Sequence, residues 1–489
     1  MKTALFFSFL IITINHVSAQ KLSLEYSTFL GGSSDDRAHV MAIDKRGNIY
    51  LTAPIVSTDF PITANALNNT PSGIYLAKIS AGGDSLIFST YIGASGGANY
   101  AHGVFVDDKG YIYITGNTTN SDFPTTEKAF DRTFNGPADA SHGDAFVMKL
   151  NPEGNEIIYS TFIGGSGMDI SGKITVDAEG NAYVIGSTSS ADFPVSNGAY
   201  DTTFNGGSND GRDDIFVLKL NAKGSDLLYC TYIGGSNTEL YGNNILIDNT
   251  GTVYFAATTS SSNFPVTANA FDKTYNGGSG IRGAGDGVIV ILNPEGTSLE
   301  YSTFFGGSGD DFAYGLSRNE KNDNIYICGG TSSSDIPLTP DAFAQNTKSG
   351  YFAEFSNDAT KLLYSTYWNA SIQTIGVQKS GNIIISGSTE STDLTVTTKA
   401  LDTAANGSGD IYISIFNPVN NTLLYSTYFG GKNNDILSSL LIDGKSLFIC
   451  GNTASPDFPV SEKAYDKSFN GGTNQWGGDA YVSRFIFDL

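Results

Sequence analysis

Residues 24–32, Leu24-Glu25-Tyr26-Ser27-Thr28-Phe29-Leu30-Gly31-Gly32, state a phrase that the rest of the chain repeats. Variants of it begin at Phe88, Tyr159, Tyr229, Tyr301, Tyr364 and Tyr425, as FSTYIG, YSTFIGG, YCTYIGG, YSTFFGG, YSTYW and YSTYFGG. Counted from Tyr26, the intervals are 62, 71, 70, 72, 63 and 61 residues. A self-similar period of that size signals a propeller or solenoid, and the count is seven units. Within the phrase Tyr and Thr alternate with Ser and Phe, the period of two expected of a strand.

The parts between two phrases also keep a fixed order. In the unit ending at Gly165, a run from His102 to Val106 turns through Asp107-Asp108-Lys109-Gly110 into a second run, Tyr111 to Thr115. A long polar connection with Asp122-Phe123-Pro124 leads to a third run, Asp144 to Leu150, and a tight turn, Asn151 to Gly154, returns to the phrase. Each unit is four short strands, A to D, with the phrase as strand D. The opening phrase has no A, B or C before it, and the last unit ends on a strand C, Asp479 to Phe487, with no D after it. The expected fold is therefore an all-β, seven-bladed propeller with four antiparallel strands per blade. It is closed by the N-terminal strand pairing with the C-terminal blade, which limits exposed sheet edges.

Strand alternation puts the long D-to-A and B-to-C connections on one face of the disc and the tight turns on the other. Asp-Phe-Pro recurs in the B-to-C connections at 59–61, 122–124, 192–194 and 457–459, with variants at 263–265, 335–337 and 393–395. An Asn-Gly follows at Asn135, Asn205, Asn276, Asn406 and Asn470. An element present in nearly every blade reads as architecture: Asp sets a turn, Phe plugs the loop, Pro fixes the backbone and Asn-Gly supplies a positive φ.

Residues 1–19 stand apart. Lys2, the apolar run Ala4 to Ile14 and Val17-Ser18-Ala19 have the layout of a secretory signal peptide, which leaves 20–489 as a single propeller domain. No other stretch is apolar enough for a membrane span. The formal net charge of −22 argues against nucleic acid and anionic membranes as partners. Cys230, Cys328 and Cys450 have no metal-like spacing and are expected as buried free thiols.

The unit resembles the SBBP repeats, bacterial repeats named for a seven-bladed β-propeller. The shared features are the YST-aromatic-x-Gly-Gly phrase, the hairpin ending in Gly-Asn-x-Tyr, Asp-Phe-Pro and Asp-Ala-Phe-Val-x-Lys-Leu-Asn, and they run through residues 22–489. The resemblance implies an exported or cell-surface protein, often adhesin-like, with no common catalytic activity.

Two groups of residues are candidates for chemistry. Asp35, Asp36, Asp169, Asp310, Asp311 and Asp435 lie in glycine-rich D-to-A loops and offer hard oxygen ligands suited to calcium, with solvated turns as the other reading. His39 and His102 align in neighbouring blades near the loop-face rim of the axial channel. With Asp35 and Asp36 nearby they suggest a transition-metal site, or else polar channel lining. Trp368 and Trp476 are candidates to stack on a sugar or anchor a protein partner. Gly93-Ala94-Ser95-Gly96-Gly97 matches a nucleophile-elbow pattern but sits in an ordinary D-to-A loop. The reading favoured is a monomeric, secreted, periplasmic or cell-surface, non-enzymatic binding or adhesion propeller for an extracellular glycan or protein, with its ligand on the loop-rich face. The alternative is an extracellular polysaccharide hydrolase or lyase using carboxylates there.

Overall fold

The computed structural model describes residues 21–488, apart from 95, 138–140, 208–212, 279–284 and 472–476. The segment read as a signal peptide, Ser95 and Trp476 lie outside the described residues. The first strand is β1 (Lys21–Leu30). Blades one to six then hold β2–β5 between Val40 and Ile92, β6–β9 between Asn99 and Ile163, β10–β13 between Asp169 and Ile233, β14–β17 between Glu239 and Phe305, β18–β21 between Gly315 and Trp368, and β22–β25 between Thr374 and Phe429. Blade seven takes β26 (Asp435–Asp443), β27 (Ser446–Thr453) and β28 (Asp479–Asp488). All seven sheets have four antiparallel strands in the order A-B-C-D, and the seventh reads β1-β28-β27-β26.

The ring closes as the repeat count requires. β1 pairs with β28 from Lys21↔Asp488 to Leu30↔Ala480, and the Ser27 and Ser483 hydroxyls share a 2.8 Å hydrogen bond in the middle of the ladder. Leu22, Phe29 and Leu30 are fully buried there. At about 1.5–3 kcal/mol for each large apolar side chain removed from water, the clasp is a substantial part of the ring's stability.

The apolar residues on both sides of each strand are explained by stacking. Seven buried clusters fill the seven seams between neighbouring blades, as where Tyr26, Leu30 and Val482 of blade seven meet Met41, Leu51 and Tyr75 of blade one. Small residues are needed where the innermost strands converge: a Cβ on Gly376 would lie 2.5 Å from Ile442. The tight-turn face is held by Asp44, Asp107, Asp177 and Asp248. Asp44 is typical, accepting from the backbone N–H of Arg46 at 2.9 Å and of Asn48 at 3.0 Å around Gly47 at φ 80°.

Two local expectations need correction. Strand A is longer than its apolar run in blades two, three, four and seven, because a β-bulge at Ala101/Gly103, Ser171/Lys173, Tyr241/Ile245 or Leu437/Ser439 lets the preceding loop continue pairing with strand B. The loop acids Asp169 and Asp435 therefore begin strands rather than sit in turns. The Asn-Gly pairs also do a different job from the one assigned: Gly206 and Gly277 take positive φ, whereas Gly136, Gly407 and Gly471 do not. What the pairs share is the Asn backbone N–H, donated to the first residue of strand C, as from Asn135 to Asp144 and Asn205 to Asp214, both at 2.8 Å.

The Asp-Phe-Pro reading as architecture holds. Phe60, Phe123, Phe193 and Phe458 are buried against strand C aromatics, with ring centroids 4.3 Å apart for Phe60–Tyr75 and 4.4 Å for Phe123–Phe146. The adjacent Asp ties the two long loops of a blade together: Asp59 accepts from Ser33 N and Asp192 from Ser166 N, both at 2.8 Å. Cys230, Cys328 and Cys450 are buried free thiols.

Candidate functional site

The loop-face acids are drawn into the seams, where the chain makes the same construction five times. An acid at or before the start of strand A in one blade and the first strand C residue of the preceding blade close on one D-to-A glycine. The pairs are Asp36 with Asp479 at Gly31, Asp169 with Asp144 at Gly164, Glu239 with Asp214 at Gly234, Asp311 with Asp286 at Gly306, and Asp435 with Asp410 at Gly430. All ten acids are buried. The first member takes several donors: Asp169 accepts from Gly165 N at 2.8 Å, from the Ser190 hydroxyl at 2.9 Å and from the Thr188 hydroxyl, whereas Glu239 and Asp311 each keep one oxygen without a donor. The strand C member keeps one oxygen without a donor in hydrogen-bonding geometry, at Asp144, Asp214, Asp286, Asp410 and Asp479. Burial pushes the Asp144 carboxyl up to about 7 and the Asp169 and Glu239 carboxyls up to about 8, with the neighbouring carboxylate adding to the rise at Asp169 and Glu239. Like charges at such spacing cannot both ionise without cost, so each pair favours holding a proton.

This places the expected calcium ligands. Asp36, Asp169, Asp311 and Asp435 are seam acids turned toward backbone N–H and hydroxyl donors. Asp35 accepts from Gly478 N at 3.1 Å, and the Asp310 backbone N–H donates to the Ser332 hydroxyl at 2.8 Å. Among the described residues no three acidic, His or Cys side chains converge in a group able to hold a metal ion. Trp368 is 4% exposed, packed between Phe343, Phe352 and Phe416, which removes it as a surface platform. A strand D end that carries Trp in place of the usual phrase adds to the seam core and not to the surface.

His39 and His102 do meet. Their rings stack across the seam between blades one and two with centroids 6.4 Å apart and planes 17° from parallel. Tyr100 stacks on His102 at 6.0 Å, and His102 Nε2 donates to Asn117 Oδ1 at 3.0 Å, whose amide in turn donates to His142 Nδ1 at 3.1 Å. Burial, with Arg37 and Lys173 adding at His39 and with His39 and Lys173 adding at His102, lowers the imidazoles to about 4 and about 3, so both are neutral near pH 7. The stacked rings line the channel, and His102 Nε2 is already engaged with Asn117.

Around them opens the loop-face mouth of the axial channel, a cavity of ≈ 550 Å³ lined by His39, His102, Lys173, Tyr314, Gln373 and Ser438 together with Val40, Ser371 and Leu437. It continues into a wider chamber of ≈ 810 Å³ toward the tight-turn face, lined mainly by apolar strand A residues, and Val40, Lys173 and Ser438 border both. Lys173 thus stands at the waist. Its Nζ donates to the His102 carbonyl oxygen at 3.1 Å, and desolvation lowers the ammonium to about 8. Among the described residues the mouth itself is lined by no carboxylate, while Asp44 and Asp443 border the chamber. Lys173, Tyr314, Gln373 and His142 were not anticipated. One signal was available: five residues before the turn residue of strand A the chain reads His39, His102, Gly172, Asn243, Tyr314, Gln373 and Ser438, a mostly polar position that varies among the blades.

Three stretches, residues 87–124, 158–194 and 228–265, match the SBBP β-propeller repeat. The chain carries SBBP repeats. Each matched stretch runs from strand D through the D-to-A loop and strands A and B to Asp-Phe-Pro or its Asn-Phe-Pro variant, the part of the unit that builds the seam. No curated protein matches the chain. Solved structures that share its outline include the Neurospora crassa Pan2 WD40 domain, at 9% identity over 97% of both chains with a TM-score of 0.45. BamB from Moraxella catarrhalis matches at 10% identity over 93% of this chain and 86% of that one, with a TM-score of 0.41. A europium-containing methanol dehydrogenase matches at 10% identity over 95% and 93%, with a TM-score of 0.45. No helix of the described SBBP-repeat protein is long and apolar enough to cross a membrane.

Proposed function

We propose that this SBBP-repeat protein is an exported binding propeller that takes its ligand at the loop-face mouth of the axial channel. The observation that carries the reading is the contrast within the repeat: the mouth is concave, largely polar and lined by His, Lys, Tyr, Gln and Ser from different blades at equivalent or adjacent positions, while the motifs that build each unit recur with few changes. Architecture demands sameness of a repeat, and a site that recognises one molecule does not. A cavity of ≈ 550 Å³ is within the range of small-ligand sites, about 300–1,000 Å³. Export is supported by the signal-peptide pattern of residues 1–19 and by the matched repeat. The test is a glycan and small-molecule array probed with the intact protein and with Tyr314→Ala and His102→Ala, alongside an assay for new reducing ends. Retention of a ligand that both substitutions weaken, without turnover, supports the proposal. Ligands held equally well by both variants place recognition elsewhere, and turnover replaces the binding module with an enzyme.

A further inference from the structure

We propose that the mouth is selective for a small carboxylate borne on a ring-shaped body, the chemistry of a uronic acid, with the carboxylate seated on the Lys173 ammonium. The inference rests on the reading of the mouth as a binding site and adds the class of ligand.

Charge is the first argument. In a chain of net charge −22, the mouth is lined by one lysine, two histidines and no carboxylate. Lys173 projects from β10 at the waist of the channel with an ammonium that can donate three hydrogen bonds, and one of these goes to the His102 carbonyl oxygen. Its ion-pair partner is not supplied by the protein: the salt bridges among the described residues join Lys78 to Asp44, Lys219 to Asp177 and other pairs, none with Lys173. Compare Lys219, in the same blade, whose ammonium lies 3.2 Å from Asp177. A desolvated ammonium without a counter-ion is unfavourable by itself and becomes favourable when an anion arrives.

The rest of the wall sets the size and shape of that anion. A single ammonium neutralises one charge, and Arg37, whose field also reaches His39, is not among the lining residues, so a monoanionic carboxylate fits better than a phosphate dianion. Two stacks each contribute to the lining, through His39 and His102 in one and Tyr314 in the other. One is His39–His102–Tyr100 at the seam of blades one and two, and the other is Tyr314 stacked on Phe312 in blade five at 5.4 Å and 12°. In a seven-membered ring blade five lies three steps from both blade one and blade two, so the stacks flank the cavity. Aromatic side chains beside a cavity are suited to the apolar face of a pyranose, and the lining residues Gln373, Ser371 and Ser438 carry amide and hydroxyl groups of the kind that bond sugar hydroxyls.

The experiment is titration calorimetry of the intact protein with glucuronic acid, glucose and glucose 6-phosphate, repeated with Lys173→Met and Tyr314→Ala. A hydrogen bond to a charged group is worth about 1.5–3 kcal/mol, so the acid should bind at least about tenfold more tightly than glucose. Lys173→Met should erase that ratio without lowering the melting temperature, which separates loss of charge recognition from misfolding. Tyr314→Ala should weaken acid and neutral sugar alike. Equal affinity for acid and glucose, a preference for the phosphate, an acid preference that survives Lys173→Met, or no binding of any of the three would overturn the assignment. If the array still finds a ligand that Tyr314→Ala removes, the binding mouth stands and only its carboxylate selectivity falls.

Discussion

Five seams of the ring are alike and two are not, and the comparison separates architecture from function. At seams 7/1, 2/3, 3/4, 4/5 and 6/7 two buried acids close on a glycine, and Glu239 keeps the construction in blade four although its sequence departs from the Asp pattern. At seam 1/2 the strand A position is Asn99, whose amide donates to Ser72 O at 3.3 Å, and at seam 5/6 the strand C position is Gly350, packed against the backbone of Ala370 and Ser371. These two acid-free seams are where the mouth gathers its aromatic and amide groups: His39 and His102 at the first, Tyr314, Ser371 and Gln373 at the second. A repeat relieved of its structural acids at two places has room there for the polar and aromatic residues of the proposed binding mouth.

The largest break of this comparison is removal of β1. Deleting residues 21–30 exposes the edge of β28 and opens seam 7/1, and with Leu22, Phe29 and Leu30 lost at about 1.5–3 kcal/mol each the ring should unfold cooperatively or aggregate. Size-exclusion chromatography and thermal melting read the outcome, and a monomer with an unchanged melting temperature would refute the clasp. Next comes the glycine inside an acid seam. A Cβ on Gly164 would lie 2.6 Å from Asp144 Oδ1 and 2.9 Å from Asp169 Oδ2, so Gly164→Ala should cost about 1–3 kcal/mol in denaturant unfolding, while His102→Ala at the acid-free seam, which loses one hydrogen bond to Asn117, should cost about 1 kcal/mol or less.

The acid pairs also set a pH dependence. Burial holds Asp144, Asp214, Asp286, Asp435 and Asp479 up to about 7, and Asp169 and Glu239 up to about 8, all above their unfolded values near 4. The folded state then binds more protons than the unfolded one between about pH 4 and pH 8, so this contribution is complete at the acid end and lost as pH rises through 7 to 8. His39 and His102, lowered to about 4 and about 3, act in the opposite sense, but only below their unfolded value near 6.5. The melting temperature should therefore fall between pH 6.5 and pH 8.5, and Asp144→Asn, which keeps the shape of a protonated carboxyl, should flatten the slope. A melting temperature that rises over that window would contradict protonated pairs. Smallest of all, Lys45→Ala breaks an exposed 2.9 Å ion pair with Asp108 on the tight-turn face and should change stability by about 0.5 kcal/mol or less in the same melts.

The sequence by itself determined the strand count, the ring closure, the two faces and the buried thiols, because these follow from local periodicity and from the arithmetic of the repeat. Period two in YSTFIGG, a turn at every Asp-x-x-Gly and a phrase without a partner at each end leave little else for the chain to do. Tertiary structure decided what the acids and the channel residues are for. Asp169 reads in sequence as a loop acid beside glycines, and only the stacking of blades three and two brings Asp144, 25 residues earlier, against the same glycine. Lys173 reads as one more charge in a strand, and only the bulge at Ser171/Lys173 and the convergence of the innermost strands carry it to the waist of the channel, beside His102. Partners across a seam belong to different blades, so local pattern fixes each blade while contact between blades fixes its chemistry.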